Sequence, residues 1–510
     1  MLKFFSKIMR ILTKRLFVIA ILILIQFLFI GLTIRVFSDN YVYVNAVLLA
    51  ISLIVTLIIV NNNDDPGYKL AWAVSILLAP VFGGILYLAV GGQKLRRGAA
   101  GRIPMDPLDA RVDKDWTAEI PEAYARQQAG YIQNQLQFSP QGQTSVQYFA
   151  STEEAFDVMV DQLEAAEHYI FLEYFILEEG VFWNTILDIL ERKVRQGLDV
   201  RVIYDDVGSV KTLPQYYYKR LREKGIRCYA FNRFVPFISF RMNNRTHRKI
   251  LVIDGHTAFT GGYNLADEYI NVKERFGHWK DTGLMLKGAA VWNLTAMFLH
   301  TWNFVSAAEN RSNFENYRPE LYHALPETEG IIAPYGTTPV TPRSDAASIY
   351  CNMIDKAEQY VYITTPYLIP NNETMRALER AALNGIDVRI LTPAHWDKYM
   401  IHMLTQSNYK ELLDAGVRIF EYTPGFLHAK SFVSDDLMAI VGTINLDYRS
   451  MYLNYEDAVW MYRTPIVQDV KTDFLKTQAQ CTEVTYEFLK KRPLHNRMFG
   501  WLFKLFAPLV

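Results

Sequence analysis

The sequence predicts an α/β protein made of two similar halves that share one active site, preceded by transmembrane helices. Three observations carry that prediction. A short His–Lys–Asp motif occurs twice at one spacing. The segments around it recur in the same order. Long uncharged apolar runs fill much of the first 90 residues.

The apolar runs come first. Leu16 to Ile34 is 19 residues without a charge, Val42 to Val60 is another 19, and Leu70 to Val90 is 21, with Pro80 and Gly83-Gly84 inside it. Each reaches the roughly 20 residues that a hydrocarbon layer about 30 Å thick demands. A secretory signal fits the first run poorly, because no small-x-small cleavage site precedes Asn40 and two further runs follow. Residues 1–92 are therefore expected to form a membrane region of two or three helices. Lys3, Lys7, Arg10, Lys14 and Arg15 favour an internal amino terminus, while Lys94, Arg96, Arg97 and Arg102 pull the far end the same way. Three full spans would separate these clusters, so either one run does not span or one cluster loses. A cytoplasmic catalytic region is expected. Three widely spaced cysteines, Cys228, Cys351 and Cys481, suit reduced thiols better than a disulfide framework.

A polar linker is expected over 93–144. The first half, 145–310, opens with an amphipathic pattern at Phe156 to Ala166 and a β-branched, aromatic run from Tyr169 to Phe175. Gly197 to Val202 and Gly225 to Arg227 follow. A connector is expected over 311–343. The second half, 344–490, repeats the order with Tyr350 to Gln359, Tyr360 to Thr365, Gly385 to Ile390 and Gly416 to Arg418. A period this long is a duplicated domain and not a solenoid repeat. Helix patterns alternating with short apolar strands argue for α/β layers. The last stretch, 491–510, is a basic, aromatic, amphipathic tail too short to span. It either lies in a membrane interface or packs on the catalytic region.

The motif is His247-x-Lys249-x4-Asp254, and again His428-x-Lys430-x4-Asp435. A glycine turn trails each copy: Gly261-Gly262-Tyr263-Asn264 and Gly442-Thr443-Ile444-Asn445. A lone H-x-K on a strand is usually surface decoration, but two copies with matching surroundings are not. Side chains alternate along a strand, so the histidine and lysine of each copy share a face. These segments, His247 to Asp254 and His428 to Asp435, are read as the last strand of each half. Asp254 and Asp435 must lie at a strand end or beyond a turn, and are counted in the site as orienting groups.

Such residues suit phosphodiester chemistry. Catalysis there must neutralise the non-bridging oxygens, supply a nucleophile and protonate a leaving alkoxide. Lys249 and Lys430 supply fixed charge, aided by the amides of Asn264 and Asn445. One histidine attacks while neutral and the other acts as acid, so a ground state with one neutral and one charged imidazole is expected. No metal is expected, because a lysine beside each histidine would repel a cation. No cofactor is expected either, since neither a P-loop nor a dinucleotide-binding glycine pattern occurs.

The paired H-x-K-x4-D motif resembles the signature of the phospholipase D superfamily, over roughly residues 145 to 490. The resemblance implies two α/β halves packed so that both motifs meet, and a covalent phosphohistidine with His247 as nucleophile and His428 as acid. The residues alone leave the two symmetric. Ala71-Trp72, Leu86 to Gly91, Thr365-Pro366-Tyr367, Gly442 to Ser450 and the tail ending Phe506-Ala-Pro-Leu-Val510 resemble bacterial cardiolipin synthases. That resemblance implies a multi-pass protein of the bacterial cell membrane. Its reaction would be phosphatidyl transfer between two phosphatidylglycerol molecules, giving cardiolipin and glycerol. The alternatives are a membrane-bound phospholipase D releasing phosphatidic acid and a membrane scaffold with a dead site.

Weaker candidates surround the motif. Glu173 lies in an apolar strand and needs a partner. Asp205 to Ser209 either lines the pocket or forms a loop. Asn243, Asn244 and Arg245 lead into His247, and Arg245 is a possible phosphate ligand. Asp447 and Arg449 are read as an ion pair. His256, His278, His300 and His402 are read as structural. Lys plus Arg equals Asp plus Glu at 53 each, which argues against a nucleic-acid enzyme.

Overall fold

The computed structural model describes residues 28, 41–79, 83–84, 87, 114–233, 244–306, 311–318, 324–341 and 344–509. Apart from Leu28, the first apolar run lies outside the described residues, as do Asn243 and the basic cluster from Lys94 to Arg102. The described residues fall into two units, one near the amino terminus and one holding residues 114–233 and 244–507.

In the first unit, α1 (Tyr41–Val60) carries no charge, and most of its described side chains are exposed and apolar. Asp65 caps α2 (Pro66–Leu78) by accepting from Gly67 and Tyr68 N–H at 2.8 and 3.2 Å, with Pro66 at the first helical turn. The run expected from Leu70 to Val90 is not one helix: α2 stops at Leu78, just before Pro80. Counted over described side chains alone, no helix is long and apolar enough to cross a membrane. In α1 the unbroken stretch of described side chains begins only at Ala46.

The second unit contains the duplication. Part of the expected linker is folded: α3 (Ala123–Leu136) buries Ala125, Ala129 and Ile132, and Gln128 donates to Ile349 O at 2.9 Å. The first half runs β1 (Thr144–Phe149), α4 (Thr152–Glu164), β2 (Tyr169–Tyr174), α5 (Val181–Arg195), β3 (Asp199–Asp205), α6 (Tyr217–Glu223) and β4 (Arg227–Phe231). It continues through β5 (Arg245–Thr246), β6 (Lys249–Ile253), β7 (Thr257–Gly261), β8 (His278–Lys280), β9 (Gly283–Gly288) and α7 (Val291–Val305). The second half runs β10 (Ile331–Thr337), α8 (Asp345–Asp355), β11 (Tyr360–Thr364), β12 (Leu368–Ile369), α9 (Asn372–Leu383), β13 (Asp387–Pro393), α10 (Tyr399–Ser407), α11 (Tyr409–Asp414), β14 (Arg418–Tyr422) and β15 (Gly425–Leu427). It closes with β16 (Ser431–Ser434), β17 (Met438–Gly442), β18 (Leu446–Asp447), α12 (Tyr448–Tyr452), β19 (Asn454–Tyr462), α13 (Ile466–Gln478), β20 (Cys481–Glu483), α14 (Tyr486–Lys491) and α15 (Leu494–Lys504).

The two sheets have one topology. The first is ordered β1-β9-β7-β6-β2-β3-β4, the second β10-β19-β17-β16-β11-β13-β14-β20. Strand for strand they match, with β20 added at one edge. The matching glycines have one cause: Gly197 and Gly385 follow α5 and α9 with φ of +96° and +90°, which a side chain resists. The motif strand is not the last of each half: β7 and β9 follow β6 in its sheet, β17 and β19 follow β16 in the other, and the motif strand lies inside the sheet beside β2 or β11. Helix α7 is buried nearly all round because it packs between the sheets; Phe298 stacks on Phe171 of β2 at 4.6 Å. The connector supplies β10, an edge strand antiparallel to β19.

Candidate active site

Each motif histidine is held by the opposite half. The strand expected from His247 to Asp254 is broken, since β5 pairs with β19 of the second half while β6 pairs with β2 of its own. His247 sits between. Its N–H donates to Tyr455 O at 2.8 Å, and its Nδ1 lies 2.7 Å from Oε2 of the next residue, Glu456. The second copy repeats this. β15 pairs with β8 of the first half, His428 N–H donates to Lys280 O at 2.8 Å, and its Nδ1 lies 2.6 Å from Oδ2 of the next residue, Asp281. The expected meeting of the two motifs is therefore a mutual exchange: each half lends the other a carboxylate.

Neither carboxylate was singled out from the sequence. Glu456 is further fixed by Thr443 Oγ1 at 2.5 Å and Asn454 Nδ2 at 3.0 Å. Its neighbour Asp457 accepts from Lys249 N–H at 3.1 Å and Thr260 Oγ1 at 2.5 Å, tying the first half to β19. The available signal was Glu456-Asp457, two adjacent carboxylates inside an otherwise largely apolar strand that is buried throughout. Gly262 makes room for Asp281: a Cβ there would lie 1.9 Å from Asp281 Oδ1.

The electrostatics follow from burial. It lowers the pKa of His247 to about 4, with Lys249 and Lys430 adding repulsion against the attraction of Glu456. Burial lowers His428 to about 3, reinforced by Lys430 and Lys249 against Asp281. Each histidine thus feels the lysine of the other motif, as one shared site requires. Burial would raise Glu456 and Asp281, but the neighbouring cations outweigh it and hold both carboxyls below their ordinary range. Burial thus favours the neutral form of both imidazoles. With Glu456 ionised, Nδ1 of His247 carries the proton and donates it. Nε2 keeps its lone pair and has no protein partner among the described residues. Lys249 Nζ donates to His247 O at 2.7 Å; Lys430 Nζ donates to His428 O and lies 2.8 Å from His428 Nδ1. Burial lowers the lysines as well, Lys249 to about 8 and Lys430 to about 7.

Asp254 and Asp435 are not in this site, which corrects the sequence reading. Both lie past the far end of the motif strand, at φ of +49° and +56°. Asp254 accepts the N–H groups of Glu167, His168 and Tyr169, all at 2.8 Å. Asp435 accepts those of Glu358, Gln359 and Tyr360, all at 2.9 Å. Each carboxylate pins the start of β2 or β11, because the motif strand hydrogen-bonds to that strand along its length.

Other candidates resolve as structure. Arg245 pairs with buried Asp205 at 3.2 Å and donates to Asn232 O at 2.5 Å, so it is committed away from a phosphate. Asp205 also accepts from Val207 and Gly208, which makes 205–209 a capped turn. Glu173 accepts from Thr246 and is pushed up to about 7 by burial, against the charge of Arg248. Asp447 caps α12 through Ser450 N–H at 2.7 Å. Asn264 accepts from Ile176 N–H at 3.0 Å and donates to Tyr269 OH at 2.6 Å. Asn445 donates to Asp447 at 3.4 Å, and its carbonyl oxygen is buried without a partner. His278 contacts Tyr422 OH at 3.0 Å, and His300 packs edge-on to Phe314.

Two facing H-x-K motifs on a duplicated α/β frame define the phospholipase D-like class. The family described as "Cardiolipin synthase, PLD-like domain" matches residues 159–284 and 350–477, and a "Phospholipase_D-nuclease N-terminal" family matches 48–92. A cardiolipin synthase of Geobacillus sp. is 33% identical over 473 residues, 91% of this chain and 93% of that protein. An uncharacterized protein of Streptococcus mutans is 40% identical over 465 residues, 89% of this chain and 99% of its own. The chain belongs to the cardiolipin synthase family of phospholipase D-like proteins. A phosphatidylserine synthase structure from Haemophilus influenzae aligns with a TM-score of 0.55 over 72% of this chain and 95% of its own; at 14% identity it supports the fold alone.

Proposed function

We propose that the chain transfers a phosphatidyl group between two phosphatidylglycerol molecules. The reciprocal pairs His247–Glu456 and His428–Asp281 are the observation that carries this reading. Nε2 of His247 attacks phosphorus of the first lipid. The P–N bond forms as the P–O bond to glycerol breaks, and His428 donates its proton to the leaving alkoxide. The terminal hydroxyl of the second lipid then attacks the phosphohistidine, His428 takes that proton, and cardiolipin leaves with His247 regenerated. One phosphodiester is exchanged for another, so no nucleotide is required. Lys249 and Lys430 neutralise the non-bridging oxygens; the amides of Asn264 and Asn445, expected to help, are bound to Tyr269 and Asp447 instead. Burial disfavours the charged form of His428; the anionic phosphodiester counters the two lysines and favours its protonation, with Asp281 as counter-ion.

The membrane reading rests on α1, whose uncharged sequence and outward apolar side chains suit lipid contact. We infer a multi-pass protein of the bacterial cell membrane with the catalytic unit on the cytoplasmic side. The free thiols of Cys228, Cys351 and Cys481 agree with that side.

The test is to give purified protein labelled phosphatidylglycerol in detergent micelles, with chelator present. Cardiolipin plus glycerol is expected. Phosphatidic acid alone would move the reading to a hydrolase, and turnover only after a metal is restored would overturn the mechanism.

A further inference from the structure

Helix α15 has an inner and an outer face, and among the described residues only the inner one is packed. The inner face recurs at Asn496, Gly500 and Phe503, the spacing of one helix side. Asn496 Oδ1 accepts from Tyr399 OH at 2.5 Å, and a Cβ at Gly500 would lie 3.2 Å from Met403 O, so α15 seats closely on α10. Phe503 and Ala507 pack with Ile401, Leu404 and Ile369. Arg492 donates to Gln406 O and Lys504 pairs with Glu411, each at 3.0 Å.

The outer face recurs at Leu494, Met498 and Trp501, which are 74%, 61% and 76% exposed, and Phe499 and Leu502 flank it. An exposed apolar face that includes a tryptophan marks a contact surface. Its flanks carry Lys490 and Arg497, while Lys491 pairs with Glu487 and Lys504 with Glu411. A second copy of the chain would bring these like charges face to face, which costs affinity. An anionic lipid surface complements them, and tryptophan favours the boundary between headgroups and chains.

A line of contacts leads from α15 towards the active site: Tyr399 of α10 donates to Asn496 of α15. Asp397 and Lys398 lead into α10; the Asp397 carboxylate accepts from Tyr367 OH at 2.7 Å, and Tyr367 packs on the cluster holding Trp279 and Phe426, whose rings lie 5.4 and 5.8 Å from that of His428. Trp396 and Tyr399, both exposed, bridge the interval with their rings 5.3 Å apart.

We propose that α15 is a bilayer-docking helix whose outer face enters the headgroup boundary of an anionic phospholipid membrane and holds the His428 side of the site against lipid. The proposal rests on the lipid reading of that site, yet its test reads depth and not turnover, so the two can fail separately.

The test uses the full chain with Cys481→Ser, reconstituted in vesicles of phosphatidylglycerol and phosphatidylcholine. An environment-sensitive fluorophore is attached at Trp501→Cys or, as a second site, Leu494→Cys. The expected result is blue-shifted emission, quenching by bromine-labelled lipid and shielding from aqueous iodide, all weaker in phosphatidylcholine alone. Iodide quenching without lipid quenching at both positions would overturn the proposal. Energy transfer between labelled copies without lipid quenching would assign the face to self-association and overturn it equally.

Discussion

Glu456 lies 2.7 Å from Nδ1 of His247 although 209 residues separate them in the chain. Asp281 holds His428 in the same way from the other direction. A carboxylate on Nδ1 fixes the tautomer and stabilises the charge that develops on the ring. Its loss should therefore be felt in the transition state more than in binding. Glu456→Gln and Asp281→Asn are expected to lower kcat by roughly 10²–10⁴ with little change in KM, as removing the orienting acid does in other histidine-dependent enzymes. Steady-state kinetics on folded variants decides this. Unchanged kcat would remove the carboxylates from the mechanism.

The roles of the two histidines can be separated by leaving group. Glycerol must be protonated to depart, whereas p-nitrophenolate needs no acid. With phosphatidyl-p-nitrophenol, His428→Ala should release one equivalent of nitrophenol and retain a labelled lipid phosphate on His247. His247→Ala should do neither. Labelled peptide mapping checks the assignment, and a label on His428 in the His247→Ala protein would reverse it.

Acid should inactivate the enzyme late and alkali early. Burial lowers the pKa of His247 to about 4, so its imidazole stays neutral well below the ordinary histidine value of about 6.5. Lys430 and Lys249 titrate near 7 and 8, so their charges are lost as pH rises through that range. The profile of kcat/KM, which reports the free enzyme, should decline with rising pH because His428 must take up a proton, and more steeply above about pH 7–8 as the lysine charges are lost. In the complex the anionic phosphate favours the charged lysines, so the kcat limb should lie higher. Coincident limbs near pH 10 in both profiles would contradict the burial argument.

Asp254 is expected to behave as a fold residue. Asp254→Ala leaves three backbone N–H groups without their acceptor, each worth about 1–3 kcal/mol where water cannot reach. The variant should melt several degrees lower, while the folded fraction keeps kcat. Differential scanning fluorimetry alongside kinetics tests both halves of that statement, and full stability with lost kcat would return Asp254 to the site.

Gly262→Ala is a steric probe of the second pair. Its methyl would meet Asp281 Oδ1 at 1.9 Å, so the carboxylate must move from His428. The expected outcome matches Asp281→Asn, and combining the two should cost little more than either alone. Fully additive losses would show that the glycine acts elsewhere.

Much of this was readable in the chain. The duplication was visible because each copy repeats local patterns: a glycine after a helix, an apolar strand, then His-x-Lys. Those signals are short-range, so sequence spacing reports them. The histidines and lysines were identified by the same means, and with them the class of chemistry.

The carboxylates were not legible because their meaning is long-range. Nothing near Asp281 or Glu456 in the chain names a histidine as its partner. Only the exchange of β5 and β15 between the halves brings the groups within hydrogen-bond distance. Asp254 and Asp435 show the converse: their spacing from His is fixed, yet a strand runs straight, so it carries them away from the histidine end. The sequence by itself determined which side chains could do phosphodiester chemistry. Tertiary structure decided which acid orients each imidazole and how far burial lowers each charge, because both depend on what the opposite half packs against the site.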